Sequence, residues 1–150
     1  MIVPVAGYNY ISAPSGTTVS ITRLYNLNPQ PGETVAINIT ISDVSLLVSC
    51  YIDLTWDPNA LKVTTEDPNG WMDPVTRIRY GVCEGPFLKE FTSSTFFLIN
   101  RVDNEAGTME AIFDAITAPA TTASGSGVIA TLNFTYINPS TTTIEITGHS

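Results

Sequence analysis

Groups able to do chemistry are scarce in this chain. Its 150 residues include 14 Asp and Glu, 6 Lys and Arg, two Cys and one His. Serine- or cysteine-type catalysis needs an imidazole held beside the nucleophile. The single histidine, His149, stands next to the last residue of the sequence, a poor place to hold a base. Paired carboxylates could cleave glycosidic bonds, and Asp53, Asp57, Glu66, Asp67, Asp73, Glu110 and Asp114 are the candidates. Most of them fall at turns or on the solvent phase of strands, where a solvated carboxylate is the ordinary reading. The expectation is a chain that is not an enzyme.

Metal and redox chemistry are similarly limited. No CxxC pair exists, so a zinc site lacks its ligands. Calcium takes hard oxygen ligands, and Glu66, Asp67, Asn69 and Asp73 cluster in one turn-rich segment. They lack the spaced ligand pattern of an EF-hand loop, so a solvated acidic turn competes with a calcium site, and no other cofactor is expected. Cys50 and Cys83 allow two readings. A disulfide would close a loop and add roughly 3–4 kcal/mol; otherwise they are two thiols that never meet. Asn38-Ile39-Thr40 and Asn133-Phe134-Thr135 are acceptor sequons for N-glycosylation, whereas Pro139 disqualifies Asn138. Trp56, Trp71, Tyr8, Tyr10, Tyr25, Tyr51 and Tyr80 raise sugar binding. Trp56 lies in phase with a core face, which makes it a packing residue, and Trp71 is the better candidate for exposure.

The bulk composition excludes other classes. Charged residues make up 13% of the chain, hydrophobic residues 43%, and the net charge is −8. Six scattered cations build no patch for nucleic acid or for an anionic membrane. The apolar content is too high for a disordered acidic tail. No run of about 18 apolar residues could span a membrane, and no leader pattern opens the chain, so a processed or excised piece is expected. Threonine (21 residues) and serine (12) replace charge at the surface, a composition that suits strands.

The elements that must position these groups follow a period of two. Val35, Ile37, Ile39 and Ile41 alternate with small or polar residues. Val48, Cys50, Ile52, Leu54 and Trp56 do the same, as do Val128, Ala130, Leu132, Phe134 and Tyr136. Shorter strands are predicted at residues 18–22, 61–65, 94–100, 108–115 and 142–147. Pro/Gly/Asn turns separate them, among them Asp57-Pro58-Asn59 and Asn104-Glu105-Ala106-Gly107. Residues 59–62 suggest a short turn of helix, and residues 71–89 a long loop with local structure. About eight to nine strands with such turns predict an all-β fold, two antiparallel sheets packed as a β-sandwich.

Residues 1–16 stand apart from residues 17–150. Ile2, Val3, Val5, Tyr8 and Tyr10 make this N-terminal extension β-prone, and Pro14-Ser15-Gly16 separates it from the sandwich pattern. It is read either as an extra edge strand or as a donor strand that pairs with another copy's sheet edge.

The order of motifs resembles the cohesin domain family. Pro31-Gly32-Glu33-Thr34-Val35, running on to Asp43-Val44, is similar to that family's opening turn and strand. Leu54-Thr55-Trp56-Asp57-Pro58-Asn59-Ala60-Leu61-Lys62-Val63 is similar to its strand, Asp-Pro turn and return strand. Glu84-Gly85-Pro86-Phe87-Leu88-Lys89 resembles cohesin-like modules of archaeal and bacterial surface proteins, and Gly125-Ser126-Gly127-Val128 opens a strand like the family's. The resemblance runs from about residue 17 to 147 and implies jelly-roll topology. It also implies a non-catalytic scaffolding role in which one sheet face holds a dockerin domain. No binding residue transfers by position.

Three functions are carried forward. The first is an extracellular or cell-surface protein–protein interaction module, with a dockerin-like domain as partner. The second is a self-assembling filament or sheath subunit, joined to copies of itself by the N-terminal donor strand. The third is a carbohydrate-binding module.

Overall fold

The computed structural model describes residues 11–12, 16–24, 28–119, 121–139 and 142–149. The strands in chain order are β1 (Ile11–Ser12), β2 (Thr18–Arg23), β3 (Thr34–Leu47), β4 (Ser49–Trp56), β5 (Leu61–Val63) and β6 (Trp71–Met72). They continue with β7 (Arg79–Tyr80), β8 (Val82–Glu84), β9 (Ser94–Asp103), β10 (Thr108–Ala118), β11 (Ala123–Tyr136) and β12 (Ile144–His149). A 3-10 helix, Leu88–Glu90, precedes β9.

One sheet runs β1-β2-β3-β11-β5, with β8 also paired to β11. The other runs β12-β4-β10-β9, and β6 and β7 form a small ribbon. All pairings are antiparallel. The fold is an all-β jelly-roll sandwich, as expected from the sequence.

Alternation explains the core. On β3, Val35, Ile37, Ile39 and Ile41 are buried; on β4, Cys50, Ile52, Leu54 and Trp56 are buried. Met109 and Ile112 from β10, and Leu132, Phe134 and Tyr136 from β11, complete the layer between the sheets. Burying each such large apolar side chain stabilises the fold by about 1.5–3 kcal/mol. Trp56 is a packing residue: its ring meets Phe134 edge to face at 5.3 Å, and its indole N–H donates to the Leu61 carbonyl at 3.0 Å.

Three local expectations are corrected. Val48 is 50% exposed rather than inward. The chain crosses from one sheet to the other between Leu47 and Ser49, and the Val48 carbonyl accepts the Ile116 N–H. Residues 59–62 do not make a helix: Asp57 accepts from Ala60 and Leu61, and the chain enters β5 at Leu61. On β11 the strict phase breaks at a bulge between Val128 and Ala130, so that Ile129 and Ala130 are both buried. In the stretch read as a loop with local structure, residues 71–89, the chain forms β6, β7 and β8 and enters the 3-10 helix.

Candidate docking face

Strands β4, β10 and β9 bury one side and present the other to solvent. In register across the sheet, Tyr51 pairs with Phe113 and Phe113 with Leu98. Ala115 pairs with Phe96, on the same side. Phe96 is 51% exposed and Leu98 36%, while Tyr51 and Phe113 are half-buried. Phe96 and Phe113 contact edge to face. Large apolar side chains thus form a continuous row on an outer face that is otherwise built from residues such as Ser49, Thr55 and Thr108. A contiguous exposed apolar patch with a polar border marks an interaction surface.

A β-bulge aims this row. The β4–β10 register shifts between Met109 and Ile112, and Ala111 adopts φ 48°. Its freed N–H donates to Asp53 Oδ1 at 2.7 Å. With the extra residue, Met109 and Ile112 both point into the core and Phe113 points out. Bulges commonly re-aim side chains in this way. Charge borders the row at one end, where Arg101 pairs with Asp103 at 2.6 Å and Glu110 is exposed.

The residues singled out from sequence fall elsewhere. Asp67 Oδ1 accepts the Asn69 N–H at 3.0 Å, and Asp73 Oδ1 accepts the Val75 and Thr76 N–H groups at 2.7 and 3.1 Å. These are turn-forming bonds. Glu66 is exposed, and among the described residues no group of three His, Cys, Asp or Glu side chains could hold a metal. Backbone donors hold Asp73 below the usual carboxylate range, Val75 N–H chief among them. Cys50 and Cys83 are free thiols and are not joined. Cys50 lies on β4 in one sheet and Cys83 on β8 in the other, where its thiol donates to the Asn69 carbonyl at 3.3 Å. Burial pushes the Cys50 thiol up to about 12.

Both sequon asparagines are mid-strand and half-buried. Asn38 Oδ1 accepts from Thr131 at 2.8 Å, and Asn133 Nδ2 donates to Asp67 Oδ2 at 3.2 Å. Trp71 is half-buried and stacks on Tyr80, with centroids 6.4 Å apart and planes at 22°. Of the carboxylates weighed for acid–base work, Asp57 caps its own turn at Asn59. Asp114, unlike most of that set, is buried. Tyr25 and the donor-strand residues Ile2, Val3, Val5, Tyr8 and Tyr10 lie outside the described residues. The segment's last part does appear as β1, where Ile11 pairs with Val19 and Ser12 with Thr18.

The sequence reading did not single out Phe96, Leu98 and Phe113 as a surface. The signal available was the run Phe96-Phe97-Leu98-Ile99, apolar in both phases of an alternating strand. No sequence signal marks the bulge that turns Phe113 outward.

A family model for the cohesin domain matches residues 17–149. No curated protein matches the chain significantly. Among solved structures the chain is similar to a type II cohesin domain from the cellulosome of Acetivibrio cellulolyticus. The TM-score is 0.62 at 18% identity, over 87% of this chain and 75% of that one. It is also similar to the second type II cohesin module of the adaptor ScaA scaffoldin from that organism, with TM-score 0.60 and 17% identity over 85% and 75% of the two chains. A third is the sixth cohesin of its scaffoldin B, solved in complex with a mutant Cel5 dockerin, with TM-score 0.59 and 17% identity over 89% and 83%.

Proposed function

This chain belongs to the cohesin domain family, and from that premise we propose that it seats a dockerin-like partner domain on the outer face of the sheet β12-β4-β10-β9. Cohesin domains are non-catalytic protein-interaction modules, and this chain is one. The observation that carries the choice of face is the row Tyr51, Phe113, Leu98 and Phe96, apolar and solvent-facing on three adjacent strands. Aromatic anchors surrounded by polar residues are the usual core of a protein interface. The partner meets this chain outside the cell, as part of an extracellular or cell-surface scaffold.

The test is titration calorimetry of the chain against a panel of purified dockerin domains. A domain that binds the wild type should lose at least about tenfold in affinity to a Phe96→Ser/Leu98→Ser variant, since a hot-spot side chain contributes about 2 kcal/mol or more. Unchanged affinity in the variant would place docking elsewhere.

A second reading, the self-assembling subunit, turns on the sheet edge where β1 sits, although β1 itself pairs within the chain as an extra edge strand. Ile11–Ser12 extend the sheet on β2, which brings the C-terminal end of the donor-strand segment to a sheet edge. An added strand satisfies edge backbone groups directly. Removal of residues 1–13 should then abolish any polymers seen by electron microscopy, and a wild type that stays monomeric at high concentration would count this reading out.

A further inference from the structure

Behind the docking face lies a carboxyl group that the fold leaves without a partner. Asp114, on β10, is 1% exposed, and neither of its oxygens has a hydrogen-bond partner among ordinary donors. Its strand neighbours are Cys50 on β4 and Phe97 on β9. Across the sandwich, Glu84 on β8 reaches into the same layer: its Oε1 accepts from the Thr95 hydroxyl, and Thr95 lies two residues before Phe97, the β9 partner of Asp114. Two ionised carboxylates offer only acceptors, so a hydrogen bond between them forms only when one carries a proton.

The surroundings decide which one. Glu84 is well supplied as an anion: Lys89 Nζ lies 2.9 Å from its Oε2, and the Thr95 hydroxyl donates to its Oε1. Around Asp114 the packed elements present the Glu84 carboxyl from β8, Lys89 from the 3-10 helix and the Cys50 thiol from β4. Lys89 is already paired with Glu84, and the Cys50 thiol stays neutral. A buried carboxylate beside another carboxylate, with its cation already engaged, is strongly disfavoured.

We propose that Asp114 and Glu84 hold one proton between them, resident on Asp114, and that this carboxylic acid–carboxylate bond ties the docking sheet to the opposite sheet in a pH-dependent way. Paired carboxyls whose environments separate their acidities behave in this manner. Burial, reinforced by the Glu84 charge, raises Asp114 to about 7, against the smaller opposing effect of the Lys89 charge. Loss of the proton sets two anions against each other directly beneath Phe113 and Ala115, the outward neighbours of Asp114 on β10. The pairing is a property of the folded chain whether or not a partner docks above it.

The test is a carbon-detected NMR titration of the side-chain carboxyls in the full chain, labelled with carbon-13. The Asp114 carboxyl should show a midpoint near 7, with the Glu84 carboxyl sensing the same event. A Glu84→Gln variant replaces the anion with a neutral side chain and an N–H donor, and should move the Asp114 midpoint down by about 1 pH unit or more. An Asp114 midpoint in the ordinary carboxylate range, or one unmoved by Glu84→Gln, overturns the shared proton. Hydrogen exchange gives a second readout. Protection of the Phe113 and Ala115 amides should fall between pH 5 and 8, corrected for intrinsic rates, whereas unchanged protection would remove the link to the docking sheet.

Discussion

Phe96 and Phe113 meet edge to face on the solvent side of the sandwich, with ring centroids 6.2 Å apart and planes at 63°. They belong to adjacent strands, β9 and β10, and the contact is made outside the core rather than within it. Such a pair is worth about 0.5–1.5 kcal/mol beyond its area, a small part of the fold's stability. Its placement therefore serves recognition better than folding.

That distinction gives a prediction along a single strand. Leu98 faces out and Ile99 faces in, at 36% and 1% exposure. Leu98→Ala should change unfolding free energy by no more than about 0.5 kcal/mol. Ile99→Ala should cost about 2–5 kcal/mol, because it opens a cavity between the sheets. Urea denaturation of the two variants measures both. Equal losses would mean that Leu98 is a core residue and weaken the docking face.

The two cysteines give a second prediction. Since Cys50 and Cys83 lie in different sheets as free thiols, addition of a reductant should leave the melting temperature unchanged. Alkylation under native conditions should label Cys83 first, because Cys50 is buried and its thiolate is disfavoured by that burial. Mass spectrometry after denaturation should then count both thiols. A mass showing one bridge would contradict the arrangement.

Most of the sandwich was legible because the period-two signal is strong wherever one strand face meets the core. Val35 to Ile41 and Ile52 to Trp56 place their apolar residues where the pattern put them. The signal failed at Val48 and Ile129, at a sheet crossing and a bulge, where one residue changes which face a side chain occupies. The docking row was illegible for a related reason. An apolar residue on the outward phase looks like noise in a core pattern until its neighbours on the adjoining strands are known. The burial of Asp114 was not legible either, because it depends on the packing of one sheet against the other, which spacing along the chain does not encode.

Gly107 closes the turn between β9 and β10 at φ +69°. A Cβ there would collide with the Trp56 carbonyl oxygen, while the Trp56 N–H donates to the Gly107 carbonyl at 2.9 Å. Gly107→Ala should therefore destabilise by about 1–3 kcal/mol, read as a lower urea midpoint with an unchanged slope. A loss under about 0.5 kcal/mol would show that the turn relaxes without cost.

The dependence of stability on pH should have two limbs of opposite origin. Asp73 is held below its ordinary range chiefly by the Val75 N–H, and Asp103 chiefly by the Ala106 N–H. A carboxyl more acidic in the folded state stabilises above its unfolded pKa, and that contribution is lost as pH falls through the folded value. Asp114 has the reverse sign. Its folded value of about 7 exceeds the ordinary aspartate value of 3.8, so the unfolded chain releases the proton first. Its penalty is absent in acid, grows as pH rises from about 4, and is complete above about 7. Asp114→Asn should therefore gain on the wild type steadily across that interval and run parallel to it at higher pH. Asp73→Asn and Asp103→Asn keep an acceptor oxygen for the turn but remove the ionisation, so their deficit against the wild type should be full at neutral pH and disappear only as the pH falls into the acid range. Chemical denaturation at closely spaced pH values resolves the two limbs. A difference between Asp114→Asn and the wild type that stays constant from pH 4 to 8 would show that Asp114 does not titrate in this interval.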